Sequence, residues 1–93
     1  MGWTWDEDKN EANKHKHGIS FEAAQYVFAD PLRLTRPDPY PEESRWQTIG
    51  SILPLVLFVV HTWPENDDEP GRIISARRAT AQERKDYEDG NFS

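Results

Sequence analysis

Arg72-Ile73-Ile74-Ser75-Ala76-Arg77-Arg78-Ala79-Thr80 is the stretch on which the fold turns. Arg72 to Arg78 has the β-branched, alternating character of a strand. On a strand, Ile73, Ser75 and Arg77 face one way and Arg72, Ile74, Ala76 and Arg78 the other. The two arginines at its end therefore diverge. Directly after them, Thr80-Ala81-Gln82-Glu83 matches a capping box, which opens a last helix running to about Asp89. In this arrangement one arginine could serve a ligand and the other could pair with an acid. Arginines at a strand exit also commonly make surface salt bridges, so the spacing alone supports an anion-binding face and no more.

Working outward, Trp63 to Gly71 reads as a turn-rich acidic loop, and Leu55 to Thr62 is nearly continuous β-branched and apolar sequence, as in a central strand. Arg45 to Leu53 alternates loosely and reads as another strand. Leu32 and Leu34 alternate with Arg33 and Thr35 in a further short strand, and Pro37, Pro39 and Pro41 make a loop. Ser20 is an N-cap for a helix over Phe21–Phe28, with Phe21, Ala24, Val27 and Phe28 on its apolar side and Asp30-Pro31 ending it. Asp6 to His17 is a charged surface helix stopped by Gly18, its basic last turn matched to the helix dipole. Trp3 and Trp5 flank Thr4 as a short edge strand would. The expected fold is α+β: two N-terminal helices, a four-stranded antiparallel sheet and a C-terminal helix, in a single domain over residues 1–93.

At this length a large enclosed cofactor pocket is not expected, so a site should lie on an open face or in a shallow groove. The chain has no cysteine, which excludes disulfides and thiolate metal sites and fits a cytoplasmic location. Its N-terminus is acidic and has no apolar signal-like core. The longest apolar run, Ile52 to Val60, is too short to span a bilayer, so no membrane role is expected. The formal net charge of −6 argues on its face against a polyanion partner. The charge is segregated, however. Arg72 to Lys85 carries five basic residues and one acid, and Lys14, His15, Lys16 and His17 form a second basic knot. Such a distribution can build one anion-attracting face on an acidic protein.

His15, His17 and His61 are the imidazoles of the chain. Imidazole ordinarily titrates near ~6.5, which suits general acid–base work. His17 precedes a glycine and could instead cap helix carbonyls, and His61 ends an apolar strand and could be a satisfied, half-buried histidine. Two histidines at i, i+2 on a helix do not converge on a metal, so no metal site is expected. Trp46 reads as core; Tyr40, among prolines, reads as an exposed stacking candidate.

Four stretches are specific together. They are Trp5-Asp6-Glu7-Asp8-Lys9-Asn10 with Asn13, Lys16-His17-Gly18-Ile19-Ser20-Phe21-Glu22-Ala23-Ala24, Val27-Phe28-Ala29-Asp30-Pro31-Leu32, and Val60-His61-Thr62 with Arg72 to Thr80. With Glu83-Arg84 and Tyr87-Glu88 they make the chain resemble the BrnT toxin family of bacterial type II toxin–antitoxin systems. The resemblance implies a RelE-like fold, cofactor-free and metal-independent RNA cleavage that halts translation, and a ribbon-helix-helix (BrnA-like) antitoxin. Operator DNA would be met only through that antitoxin. RNA cleavage without metal needs a base for the ribose 2′-OH, cations for the phosphorane charge and an acid for the leaving oxygen. The candidates are Arg77, Arg78, His17 and His61 for catalysis, and Lys14, Lys16, Arg72 and Tyr40 for RNA binding, with the ribosome as a possible setting. The acidic loop and the net charge depart from the family pattern. They put beside this reading a second one, a non-catalytic partner and co-repressor of a ribbon-helix-helix DNA-binding protein.

Overall fold

The computed structural model describes residues 2–63 and 69–92. Residues 64–68, the greater part of the expected acidic loop, lie outside the described residues. The elements run β1 (Trp3–Thr4), α1 (Glu7–His17), α2 (Phe21–Ala24), a 3-10 turn (Gln25–Ala29), β2 (Leu34–Pro37), β3 (Trp46–Ile52), β4 (Leu55–His61), β5 (Gly71–Arg78) and α3 (Ala81–Asp89). The strands form one sheet in the order β1-β5-β4-β3-β2. The expected α+β class holds, with two corrections.

First, the sheet has five strands and is mixed, where four antiparallel strands were expected. β2 to β5 pair antiparallel, but Trp3 and Thr4 lie parallel to Gly71 and Arg72. Gly71 makes this possible: a Cβ there would sit 2.3 Å from the Trp3 ring, so only glycine lets the indole lie across the strand. Second, the helix expected over Phe21–Phe28 is α-helical only to Ala24 and then tightens into the 3-10 turn. The turn passes close over β3, where a Cβ on Gly50 would meet Val27 Cβ at 2.8 Å. Pro37, assigned to the loop from sequence, closes β2 opposite Trp46. It is tolerated because β2 is an edge strand and its outer side needs no ladder donor.

The helix ends follow their capping residues. Asp6 accepts from the Lys9 amide at 3.1 Å, and Gly18 takes the left-handed conformation (φ 72°) that ends α1. Ser20 accepts from the Ala23 amide at 3.1 Å. Thr80 and Glu83 complete the capping box of α3.

Two apolar layers cover the two faces of the sheet. On one, Ile19, Phe21, Ala24 and Val27 pack against Leu57, Val59, Ile73 and Ala76. On the other, Ile49, Val56 and Phe58 meet Tyr87 and Phe92. The strict alternation expected along β5 is broken. His61 pairs with Ile73 but Val60 with Ser75, so a bulge at Ile74 sets Ile73 and Ala76 on the same face.

α1 is not only a surface helix. Asn10 and Asn13 are buried. Asn10 accepts from the Phe21 amide at 2.8 Å and donates to Glu7 and Glu22 at 2.9 and 2.8 Å. Asn13 donates to the carbonyls of Ile19 (2.9 Å) and Ala76 (2.7 Å) and accepts from the Ala76 amide at 3.2 Å. α1 is thus stapled to the turn after it and to β5. Because β1 enters beside Gly71 and Asn13 reaches Ala76, α1 runs along β5 and delivers its basic last turn to the Arg78 end of that strand.

Candidate functional site

The divergence of Arg77 and Arg78 survives the bulge, and their surroundings separate their roles. Arg77 pairs with Phe58 on the α3 face. Its guanidinium lies 4.2 Å above the Phe58 ring, and it donates to both Glu83 oxygens at 2.7 and 3.0 Å and to the Arg78 carbonyl at 3.2 Å. Burial alone would raise the Glu83 carboxyl; the bonds from Arg77 and the Thr80 amide more than offset this and hold it below the usual carboxylate range. Arg77 is thus the arginine that pairs with an acid, and it ties α3 to the sheet.

Arg78 pairs with Leu57 on the opposite face, is exposed, and has no side-chain hydrogen bond or ion pair among the described residues. The basic turn of α1 lies at the same end. His17 is half-buried and has no hydrogen-bond partner among the described residues, and Lys16 is exposed. Lys14 is exposed and pairs with Glu11 at 3.1 Å; that bond and the attraction of the same carboxylate raise its pKa. Arg78, His17, Lys16 and Lys14 therefore share one end of the molecule and can present an imidazole and cations to an anion.

His61 is elsewhere. It pairs with Ile73, three residues along β4 from Phe58, the partner of Arg77. That step is roughly 10 Å at about 3.3 Å per residue. The ring is fully buried. Trp3 and Phe28 meet it edge-on at centroid distances of 5.3 and 4.7 Å, and Trp63 lies tilted at 5.6 Å. Nδ1 is 2.8 Å from the Thr62 carbonyl and Nε2 is 2.7 Å from Thr48 Oγ1, which is 2.9 Å from Thr35 Oγ1. Burial presses the imidazole down to about 4, against a smaller upward pull from the Thr62 carbonyl. His61 is a neutral core histidine, and the structure does not bring it to the arginines.

Arg72 and Tyr40 are also committed to neighbours. Arg72 pairs with Glu43 at 2.8 Å; Arg45 stacks 3.8 Å over the Tyr40 ring, whose hydroxyl donates to Glu42 at 3.1 Å. Glu43 receives Arg45 as well as Arg72, and these bonds lower its pKa.

Several features went unread in the sequence. Trp46, assigned to the core, instead lines an open groove of about 490 Å³ together with Pro31, Arg33, Thr35 and Trp63. Trp46 opens β3 opposite Pro37 of the edge strand β2, at the margin of the sheet. Part of the signal for the groove was present, since Arg33 and Thr35 are two apart, although β2 begins only at Leu34. On the other side, Tyr87 donates to Asp30 at 2.5 Å. Burial opposes the Asp30 charge, but bonds from Tyr87 and from the Ser51 and Leu32 amides outweigh it and lower the pKa. Tyr87 is pushed up to about 12, first by that bond and then by burial.

Among the described residues no cluster of three His, Asp or Glu side chains is placed to hold a metal ion, and no helix is long and apolar enough to cross a membrane. Against individually curated proteins the sequence has no significant match. A family model described as "Ribonuclease toxin, BrnT, of type II toxin-antitoxin system" matches residues 5–83.

Proposed function

Since the chain belongs to the BrnT ribonuclease toxin family of type II toxin–antitoxin systems, we propose that it is itself an endoribonuclease, with its cleavage centre at the shared end of β5 and α1. The observation that carries this is the division between the arginines: Arg77 is consumed by Glu83, while Arg78 stands exposed on the face that α1 supplies with His17, Lys14 and Lys16.

The chemistry follows from these groups. His17 takes the proton from a ribose 2′-OH, and the 2′-oxygen bonds to the adjacent phosphorus. Arg78 meets the charge that develops on the non-bridging oxygens, where its forked donors suit a phosphate. The P–O5′ bond breaks, and the leaving oxygen collects a proton from water or from the imidazolium. The products are a 2′,3′-cyclic phosphate and a free 5′-hydroxyl. No step requires a metal, and DNA, which lacks the 2′-OH, is not cut. Lys14 and Lys16 extend the electrostatic track for the strand. In the cell this activity inhibits translation until a ribbon-helix-helix antitoxin covers the basic end.

The deciding experiment is cleavage of a labelled RNA by the purified protein in chelator, with and without ribosomes, followed by identification of the new ends. Cyclic phosphate ends that disappear in an Arg78→Ala variant support the proposal. Intact RNA under both conditions, from folded protein, removes it.

A second reading has its own support. His61 is buried and neutral, and Arg77 is neutralised, so two of the four catalytic candidates are structural. A protein that keeps the fold and acts only as the antitoxin's partner on operator DNA fits that. It predicts growth without arrest on induction, together with tight binding to the antitoxin.

A further inference from the structure

The buried histidine the cleavage chemistry leaves unused has a consequence at the surface. A carbonyl oxygen only accepts, so the 2.8 Å contact between His61 Nδ1 and the Thr62 carbonyl puts the ring proton on Nδ1. Nε2 of the neutral ring is then an acceptor, and the Thr48 hydroxyl, 2.7 Å away, must donate to it. A hydroxyl has a single proton. With that proton spent on His61, the 2.9 Å contact between Thr48 and Thr35 can form only if Thr35 donates. Thr35 is exposed on the edge strand and lines the groove. Its outward side therefore offers lone pairs and no proton.

The rest of the groove has a matching character. Trp46 and Trp63 bring indole rings to its lining, the Trp63 residue being 46% exposed. Arg33 adds an exposed cation that donates to the Asp30 carbonyl at 3.1 Å and is drawn to the Asp30 carboxylate, the weakest of the influences that lower that acid's pKa. Indole rings, a guanidinium and one fixed acceptor in a space of about 490 Å³ suit a planar, hydrogen-bond-donating ring joined to an anion.

We infer that this groove is a nucleotide subsite, in which the tryptophans stack a nucleobase bearing an exocyclic amino group, Thr35 accepts from that amino group, and Arg33 holds the adjoining phosphate. That the natural ligand is a base of an RNA strand rests on the ribonuclease reading. The selectivity for an amino group rests on the proton order of the Thr35–Thr48–His61 chain. A base with only a carbonyl at that position meets an acceptor with an acceptor and is disfavoured.

The test is a titration of the protein's tryptophan fluorescence with AMP, with the purine ribonucleotide lacking the 6-amino group, and with adenosine. AMP quenches at millimolar concentration and binds about fivefold tighter than the amino-free analogue, the worth of one neutral hydrogen bond. Adenosine, without phosphate, binds more weakly than AMP, and Arg33→Gln removes that difference. Thr35→Val, which keeps the shape of an exposed edge-strand residue, binds both purine nucleotides equally, and Thr35→Ser restores the preference. Absence of quenching by AMP, equal affinities in the wild type, or a preference that survives Thr35→Val each overturn the subsite. An RNA cleavage assay separates this from the ribonuclease reading. Cleavage without base selectivity in the groove sinks the subsite alone, while selective AMP binding by a protein that cuts no RNA sinks the ribonuclease reading alone.

Discussion

Arg77 holds Glu83 through two hydrogen bonds, of 2.7 and 3.0 Å, and the same Glu83 carboxylate accepts from the Thr80 amide at 2.9 Å to close the cap of α3. One acid therefore joins the end of β5 to the start of the last helix. The pair is partly sheltered, at 35% and 15% side-chain exposure. Arg77→Ala is expected to destabilise the fold by about 2 kcal/mol, from a charged bidentate bond and the stacking on Phe58. Arg77→Lys recovers only part of this, because an ammonium cannot reproduce the fork. Urea unfolding of the three proteins checks it. An unchanged midpoint in Arg77→Ala would show that the pair is only a surface contact.

Arg78 should behave in the opposite way. Exposed and without a partner among the described residues, it is expected to change stability by less than about 0.5 kcal/mol when replaced by alanine. Cleavage of RNA falls by about 10²- to 10³-fold, the usual loss when a donor to a developing oxyanion is removed. Single-turnover rates on a short RNA, beside a melting curve, separate the two effects. A destabilised Arg78→Ala protein with normal cleavage would reverse the assignment of the arginines.

Burial of His61 ties stability to pH. Its pKa in the fold, about 4, lies below the ordinary value of 6.5, so the unfolded chain takes up a proton that the folded ring refuses. This contribution is complete above the unfolded value and is lost as pH falls from about 6.5 towards 4, by about 1.4 kcal/mol per unit. Between pH 7 and pH 5 the expected loss from His61 is roughly 2 kcal/mol. NMR of the ring carbons offers the direct check: His61 keeps its neutral Nδ1–H signature at pH 5. Titration of that ring near neutrality would dismiss both this prediction and the proton order in the groove.

Tyr87 gives a signal at the alkaline end. Its phenol is pushed up to about 12 by Asp30 and by burial. Stability from this contact is complete below the ordinary tyrosine value near ~10 and fades as pH rises towards the folded value. Ultraviolet titration of the folded protein should show a late-ionising tyrosine that is absent from Tyr87→Phe.

Asn13 anchors α1 over both polar groups of Ala76 and the carbonyl of Ile19. Asn13→Leu leaves these buried groups without their partner and should destabilise by about 3 kcal/mol. Hydrogen exchange at the Ala76 amide should accelerate in step. Protection equal to wild type would mean that α1 is held by its apolar neighbours alone.

Much of the local structure was legible in the order of residues. Asp6, Ser20 and Thr80 cap helices, and Gly18 ends one, through bonds that span only a few residues. Leu55–His61 declares itself a central strand by its apolar run. The pairing of Trp3-Thr4 with Gly71-Arg72 was not legible, since two residues carry no periodicity and the partner lies far along the chain. Neither was the Ile74 bulge, because it arises from the fit between two strands.

The chain's local order determined that Arg77 and Arg78 diverge, because adjacent strand residues face opposite sides whatever else the protein does. The assignment of each arginine depended on what α1 and α3 brought to those sides: an acid and an aromatic ring for Arg77, open solvent beside a basic turn for Arg78. The same holds for the histidines. Sequence left both His17 and His61 open to either a structural or a catalytic role. The tertiary fold left His17 half-buried at the end of α1 and enclosed His61 among Trp3, Phe28 and Trp63, where the low dielectric and the hydrogen bonds with Thr48 and Thr62 fix its proton.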